Sequence, residues 1–222
     1  MDSETVLWIH LQYSTLMKFR NTNTHKKFWA NRKIDWNESY LKTHNHPHRE
    51  LISKVLSKLN WISLLEIGCG PGANLVNILT HFEGKQVGGI DINPDAIKLA
   101  EETFKGGHFR VNSVDDIMMS DKSVDIVLSD MTLIYMGDID KAMSEIKRIA
   151  RKYIVFCELH EENIFKSFFF KLKTGYYTHN YRKLLAKHGF EDIMLIKIRP
   201  EEWDGHEPQV SKGYIIIAKS PK

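Results

Sequence analysis

The run Leu64-Leu65-Glu66-Ile67-Gly68-Cys69-Gly70-Pro71-Gly72 carries the strongest chemical signal in the chain. An apolar strand that turns sharply into a helix needs glycine where side chains would block the turn or a ligand. The helix N-terminus beyond it offers N–H groups to a carboxylate or phosphate. Glu66 is unusual inside such a strand, because burying an unpaired carboxylate is costly. Asp91 ends the next apolar run, where a carboxylate can accept hydrogen bonds from two ribose hydroxyls. Gly68-x-Gly70-x-x-Ala73 also satisfies the loose dinucleotide fingerprint, so the glycines and Asp91 leave two nucleoside-cofactor classes open.

Further candidates follow other apolar runs. Ser129, Asp130 and Tyr135 come after Val124 to Leu128, and Glu158 and His160 after Tyr153 to Cys157. Ligands bind at the carboxyl ends of strands in open α/β sheets, which makes His160 and Asp130 the candidates for a catalytic role. His44, His46, His48 and Arg49 precede the glycine loop and can form part of a lid. The alternating histidines invite a metal reading, but no acid or cysteine of matching pattern accompanies them, and no metal is expected.

The elements that would position these residues alternate in type. Ile62 to Ile67, Gln86 to Ile90, His108 to Val111, Val124 to Leu128 and Tyr153 to Cys157 read as strands. Helical periods separate most of them. One carries Leu75, Ile78, Leu79 and Phe82. A second is opened by Asn93-Pro94, an N-cap with proline at the first helical position. A third, with Ile139, Ala142, Met143, Ile146 and Ile149, can be capped by Asp138. A helix near Tyr181 to His188 stops at Gly189. Ile193 to Ile198 and Tyr214 to Ala218 read as a final pair, joined by a long polar loop without helical period. Lacking a crossover helix, that pair should be antiparallel. Before the first strand, Val6 to Phe19 reads as a helix, and Pro47 opens another with Leu51, Ile52, Val55, Leu56 and Leu59 on one face.

The run Leu65 to Gly72 resembles motif I of class I methyltransferases that use S-adenosylmethionine. Gly89-Ile90-Asp91-Ile92-Asn93-Pro94 is similar to their acidic second motif. Asn112-Ser113-Val114-Asp115-Asp116-Ile117 with Ser123 to Ser129 resembles the adenine segment and fourth strand, and Glu145 to Ala150 the helix before strand five. The resemblance covers roughly residues 64 to 160. It implies an α/β fold: a three-layer Rossmann-like sandwich with a mostly parallel seven-stranded sheet, an antiparallel C-terminal strand and an N-terminal helical extension. It implies S-adenosyl-L-methionine as cofactor, with Glu66, Gly68, Cys69, Gly70, Asp91, Ile92, Ser113, Val114 and Ser129 around it. Asp91 would take the ribose, Ile92 would pack on the adenine, and Val114 would offer it a backbone N–H. Ser113 stands where the family often has an aspartate, and Asp115 could substitute.

One domain is expected over residues 61–222, with residues 1–60 as an extension or lid over the sheet. The segment Glu161 to Asn180 is where this family commonly places substrate recognition. His48, Arg49, Tyr135 and Tyr176 are accordingly the candidates for acceptor binding. With 31 basic and 28 acidic residues interleaved along the chain, no nucleic-acid partner is expected. No run approaches the ~18 apolar residues of a membrane span, so no membrane partner is expected. Cys69 and Cys157 lie in apolar runs and give no disulfide framework, which fits a reducing, cytoplasmic compartment. The expected activity is methyl transfer to an oxygen or nitrogen of a small-molecule acceptor. RNA or protein acceptors, a nicotinamide-dependent oxidoreductase and a non-catalytic cofactor binder are the competing readings. Ser129-Asp130-Met131-Thr132 lacks the Asn/Asp-Pro-Pro-Tyr/Phe pattern of nucleobase and glutamine amine methylation.

Overall fold

Seven strands make one sheet: β1 (Ser63–Ile67), β2 (Gln86–Asp91), β3 (His108–Val111), β4 (Val124–Asp130), β5 (Ala150–Leu159), β6 (Glu191–Lys197) and β7 (Gly213–Lys219). The computed structural model describes residues 22–203 and 209–221. Strand order is β3-β2-β1-β4-β5-β7-β6. The first five strands are parallel, and β7 runs antiparallel to both β5 and β6. The expected three-layer sheet and its antiparallel C-terminal pair are therefore present. The expected helix from Val6 to Phe19 lies outside the described residues.

Helices cover both faces because the central strands are apolar on both sides. Nearly all of β4 is buried. On one face, Ile52, Val55 and Leu56 of α3 (His48–Leu56), Leu75 and Ile78 of α4 (Ala73–His81) and Ile97 of α5 (Pro94–Thr103) pack on Leu64, Ile126, Leu128 and Val155. On the other, Ala142, Met143, Ile146 and Ile149 of α6 (Asp140–Ile149) and Leu185 of α8 (Tyr181–Lys187) pack on Leu65, Val127, Ile154 and Phe156. Two further helices, α1 (Thr22–Ala30) and α2 (Trp36–Thr43), precede α3.

Three local expectations need correction. Asp138 is not the cap of α6: that position is Ile139, which has no side-chain bond, and Asp138 Oδ1 accepts the Asp140 N–H at 3.0 Å. The aromatic insert contains an unexpected helix, α7 (Ile164–Thr174), capped by Asn163 and stopped by Gly175 at φ 83°. The polar link between β6 and β7 holds a 3-10 turn at Pro200–Glu202 and a short helix α9 (Gln209–Lys212). The insert was unreadable as a helix because consecutive aromatics obscure a 3.6 period.

Candidate functional site

Strand order reverses between β1 and β4, so the loops after these strands diverge and leave a crevice. A cavity of about 260 Å³ lies there. Gly68 and Gly70 form one side of it, with Ile90, Asp91 and Ile92 at the end of β2. Asn112, Ser113 and Val114 form a second wall, and Asp130, Met131, Thr132, Tyr135 and Met136 a third. His25, Lys26 and Trp29 of α1 with Trp36 of α2 complete it.

The glycine loop is clamped to β2. Gly68 and Cys69 both donate N–H groups to the Ile90 carbonyl, at 2.7 and 3.0 Å. Gly68 sits at φ 68°, and a Cβ there would fall on the Thr132 side chain. At Gly70, φ is 52° and the space where a Cβ would project is open. Asp91 builds this loop as well as facing the cavity. Its Oδ2 accepts the Gly70 N–H at 2.9 Å and its Oδ1 accepts the Asn93 N–H at 2.8 Å. Burial pushes the Asp91 pKa up, against those N–H bonds.

Not every residue expected at the cofactor meets the cavity. Cys69 is buried with its thiol turned toward Gly89 and is absent from the lining. Ser129 is fully buried and donates to Glu158 Oε1 at 2.7 Å. The same Glu158 oxygen accepts the N–H groups of Thr132 at 2.9 Å and Leu133 at 3.0 Å, fixing the loop after β4. Ile92, Ser113 and Val114 do line the cavity. Ser113 donates to Asp115 Oδ1 at 2.6 Å, and Asp115 pairs with Lys26 of α1.

Behind the loop lies a buried polar network. Asn74 Nδ2 donates to Glu66 Oε1 at 2.6 Å and to Asp130 Oδ2 at 2.9 Å. Asp130 Oδ2 also meets His48 Nε2 at 2.7 Å, with Arg49 at 3.7 Å. Burial raises the Glu66 pKa to about 8, offset in part by Asn74. Burial acts the same way on Asp130, but His48, Arg49 and Asn74 outweigh it and hold that carboxyl far below the usual range. The two acids therefore split into a neutral Glu66 and an ionised Asp130. Among the described residues, Asp130 Oδ1 is buried without a hydrogen-bond partner. His48 and Arg49, expected at the acceptor, instead support Asp130 from behind; neither lines the cavity.

The roof is tied down by Asn93. Its Oδ1 caps α5 through the N–H groups of Asp95 and Ala96, at 3.0 and 3.1 Å. Its Nδ2 donates to the carbonyls of Trp29 at 2.7 Å and Arg32 at 2.9 Å, at the C-terminal end of α1. Trp29 packs edge-on against Tyr135, with ring centroids 4.8 Å apart, and Tyr135 contacts Tyr176 at 5.7 Å. Tyr135 thus reaches the cavity, and Tyr176 backs it. His160 does not reach it: its Nδ1 accepts the Tyr181 N–H at 3.2 Å at the start of α8, whose N-cap is Asn180, and its ring packs on Tyr214.

Sequence reasoning missed His25, Lys26, Met131 and Thr132 as lining residues and the clasp made by Asn93. His25 and Trp29 share a helix face at i,i+4, which was a visible signal, but nothing local says which strand loop that face covers. Among the described residues, no group of three or more His, Cys, Asp or Glu is arranged to hold a metal ion.

A family model described as "Methyltransferase domain" matches residues 60–189. Malonyl-acyl-carrier-protein O-methyltransferase from Serratia marcescens is 25% identical over 88 residues, which is 40% of this chain and 34% of that protein. The chain thus aligns with about a third of that relative's length. A solved SAM-dependent methyltransferase from Aquifex aeolicus superposes with a TM-score of 0.61 at 18% identity, covering 85% of this chain and 100% of its own. Geranyl diphosphate C-methyltransferase from Streptomyces coelicolor, solved with S-adenosyl-L-homocysteine, superposes at 0.62 with 13% identity, covering 78% and 76%. At such identities these likenesses concern the fold.

Proposed function

This chain belongs to the methyltransferase domain family, and on that premise we propose that it is an S-adenosylmethionine-dependent enzyme that methylates an oxygen or nitrogen of a small-molecule acceptor held beneath α1. The observation carrying this reading is the wall over the glycine loop: α1, with Trp36 of α2, leaves a concave cavity lined by Trp29, Trp36 and Tyr135. A concave, aromatic-walled cavity suits a small molecule better than a polymer strand. Family membership sets aside the nicotinamide-dependent oxidoreductase reading.

The residues present fit the cofactor. Open space at Gly70 admits a ligand against the backbone, and the unpartnered Asp130 Oδ1 at the cavity suits an ammonium group. Asp91 would take ribose hydroxyls on its remaining lone pairs, with Ile92 and Val114 beside the adenine. When bound, S-adenosylmethionine supplies an electrophilic methyl on a sulfonium. The protein's task is then to align the acceptor in line with that methyl and to exclude water. Trp29, Trp36 and Tyr135 orient the acceptor. A hydroxyl acceptor also needs a base. His25, buried and on the cavity wall, is placed for that role, whereas His160 is not.

Calorimetric titration with S-adenosylmethionine and S-adenosylhomocysteine tests the cofactor part, with Asp91→Ala weakening both. A screen of small phenols, alcohols and amines against RNA and protein extracts, read by methyl incorporation, tests the acceptor part. His25→Gln should lower kcat on a hydroxyl acceptor by roughly 100-fold or more while leaving cofactor binding intact. Methylation confined to RNA or protein would overturn the small-molecule reading.

A further inference from the structure

Helix α7 turns its apolar side outward. Ile164, Phe165, Phe168 and Phe169 are 76%, 72%, 57% and 64% exposed, and Leu172 is 39% exposed. No residue of the helix is buried. At 3.6 residues per turn these five side chains fall within an arc of about 140°. The opposite side meets the protein through Ser167, whose hydroxyl accepts from Thr178 Oγ1 at 2.8 Å. Lys166 and Lys173 flank the apolar arc on one side, while Lys171 on the other turns its ammonium to the Gly175 carbonyl over the Tyr177 ring. Residues 163–187 contain six Lys or Arg and no Asp or Glu; of these, Arg182 and Lys187 pair with Glu162 and Asp140, which leaves Lys166 and Lys173 to set the charge beside the arc.

We propose that α7 docks this enzyme on an anionic lipid bilayer surface, its phenylalanines entering the headgroup boundary and its lysines meeting anionic headgroups. An amphipathic helix with aromatic and aliphatic residues on one face and basic residues at the margins lies in the plane of the interface. Charge selects this occupant: a second copy would bring lysines against lysines, whereas anionic lipid complements them. The expectation of no membrane partner rested on the lack of a spanning segment. No helix among the described residues is long and apolar enough to cross a membrane, and surface docking needs none. The helix also leads into the cavity wall, because Gly175 ends it and Tyr176 next backs Tyr135. Docking would bring that wall close to the membrane.

The test is co-sedimentation of the full chain with phosphatidylcholine vesicles, with and without phosphatidylglycerol. The wild type should bind the anionic vesicles, less so as salt rises. Phe165→Ser/Phe168→Ser/Phe169→Ser should weaken binding about 100-fold. Lys166→Glu/Lys173→Glu should weaken it about 20-fold and remove most of the salt dependence. All three side-chain positions of the first variant are exposed, and cofactor binding by calorimetry checks that each variant is folded. Failure of folded wild type to bind anionic vesicles overturns the proposal. So does equal binding by the serine variant, or a wild-type dimer that the serine variant splits.

Discussion

Asn74 bridges two carboxylates that titrate apart, Glu66 pushed up to about 8 and Asp130 held low. At neutral pH Glu66 therefore holds a proton. The cofactor is cationic at sulfur and amine, and a nearby cation favours the ionised carboxylate. Binding should therefore release up to one proton at pH 7, and affinity should rise from pH 6 to pH 8. Calorimetry in two buffers of different ionisation enthalpy measures the release, and Glu66→Gln should abolish it. Equal release by the variant would remove Glu66 from the site. Gly68→Ala is expected to destabilise the fold by about 1–3 kcal/mol, from strain at positive φ together with the clash on Thr132. In thermal melts, Gly68→Ala/Thr132→Ala should recover only the steric part. Glu66, expected around the cofactor, lies behind the glycine loop, whereas Gly68 and Asp91, on the cavity wall, were legible from type and position in a strand–turn–helix. His48 and Arg49 were not, because their partner Asp130 is some 80 residues away and nothing local foretells the contact. Ser129, the penultimate residue of β4, turns into the core because alternate residues of a strand face opposite sides, and Cys69 in the glycine loop packs its thiol against Gly89.

Among the elements, the strands and covering helices were legible because β4 and its neighbours are continuous apolar runs and their helices keep a clear period. The N-terminal region was legible as an extension or lid, but its ties were not. Beside the Lys26–Asp115 pair, α1 is held by Asn93, visible in the sequence as the cap of α5 and not as the clasp on α1. Asn93→Asp separates these roles. The carboxylate still caps α5 but loses the donors to Trp29 and Arg32 and faces their carbonyls instead. The lid should loosen while α5 persists. We expect higher KM values for cofactor and acceptor, by about 10-fold, with circular dichroism unchanged. Loss of helical signal would mean that the cap, and not the clasp, dominates. Faster hydrogen exchange confined to α1 would confirm the clasp.

For the whole molecule, burying carboxylates beneath the switch point ties stability to pH. Glu66 at about 8 and Glu158 at about 7 both sit above an ordinary glutamate, through burial. Between an ordinary glutamate pKa and these values the folded state binds more protons than the unfolded one, so stability falls as pH rises through that window and levels off above about 8. Asp130 and Asp125 act oppositely. Burial raises both, but His48, Arg49 and Asn74 overcome it for Asp130, and Arg151, the Ile62 N–H and Lys152 for Asp125. Their contribution is present above the ordinary aspartate range and is lost as pH drops through it. Burial also holds His179 down at about 4 and lowers His160, so these two add stability as pH rises to the ordinary histidine range and offset the glutamates there. Stability should therefore be broadly level from about pH 5 to 6.5 and decline on both sides. Thermal melts from pH 3 to 9 measure the profile. Glu66→Gln keeps the hydrogen-bonding shape of the neutral acid without its titration, so it should flatten the alkaline decline and raise Tm at pH 8 by several degrees. Above the ordinary histidine value of 6.5 only the glutamates among these groups still act, so a wild-type Tm that climbs from there to pH 8 would mean that Glu66 is ionised in the folded protein, and the split between Glu66 and Asp130 would fall with it.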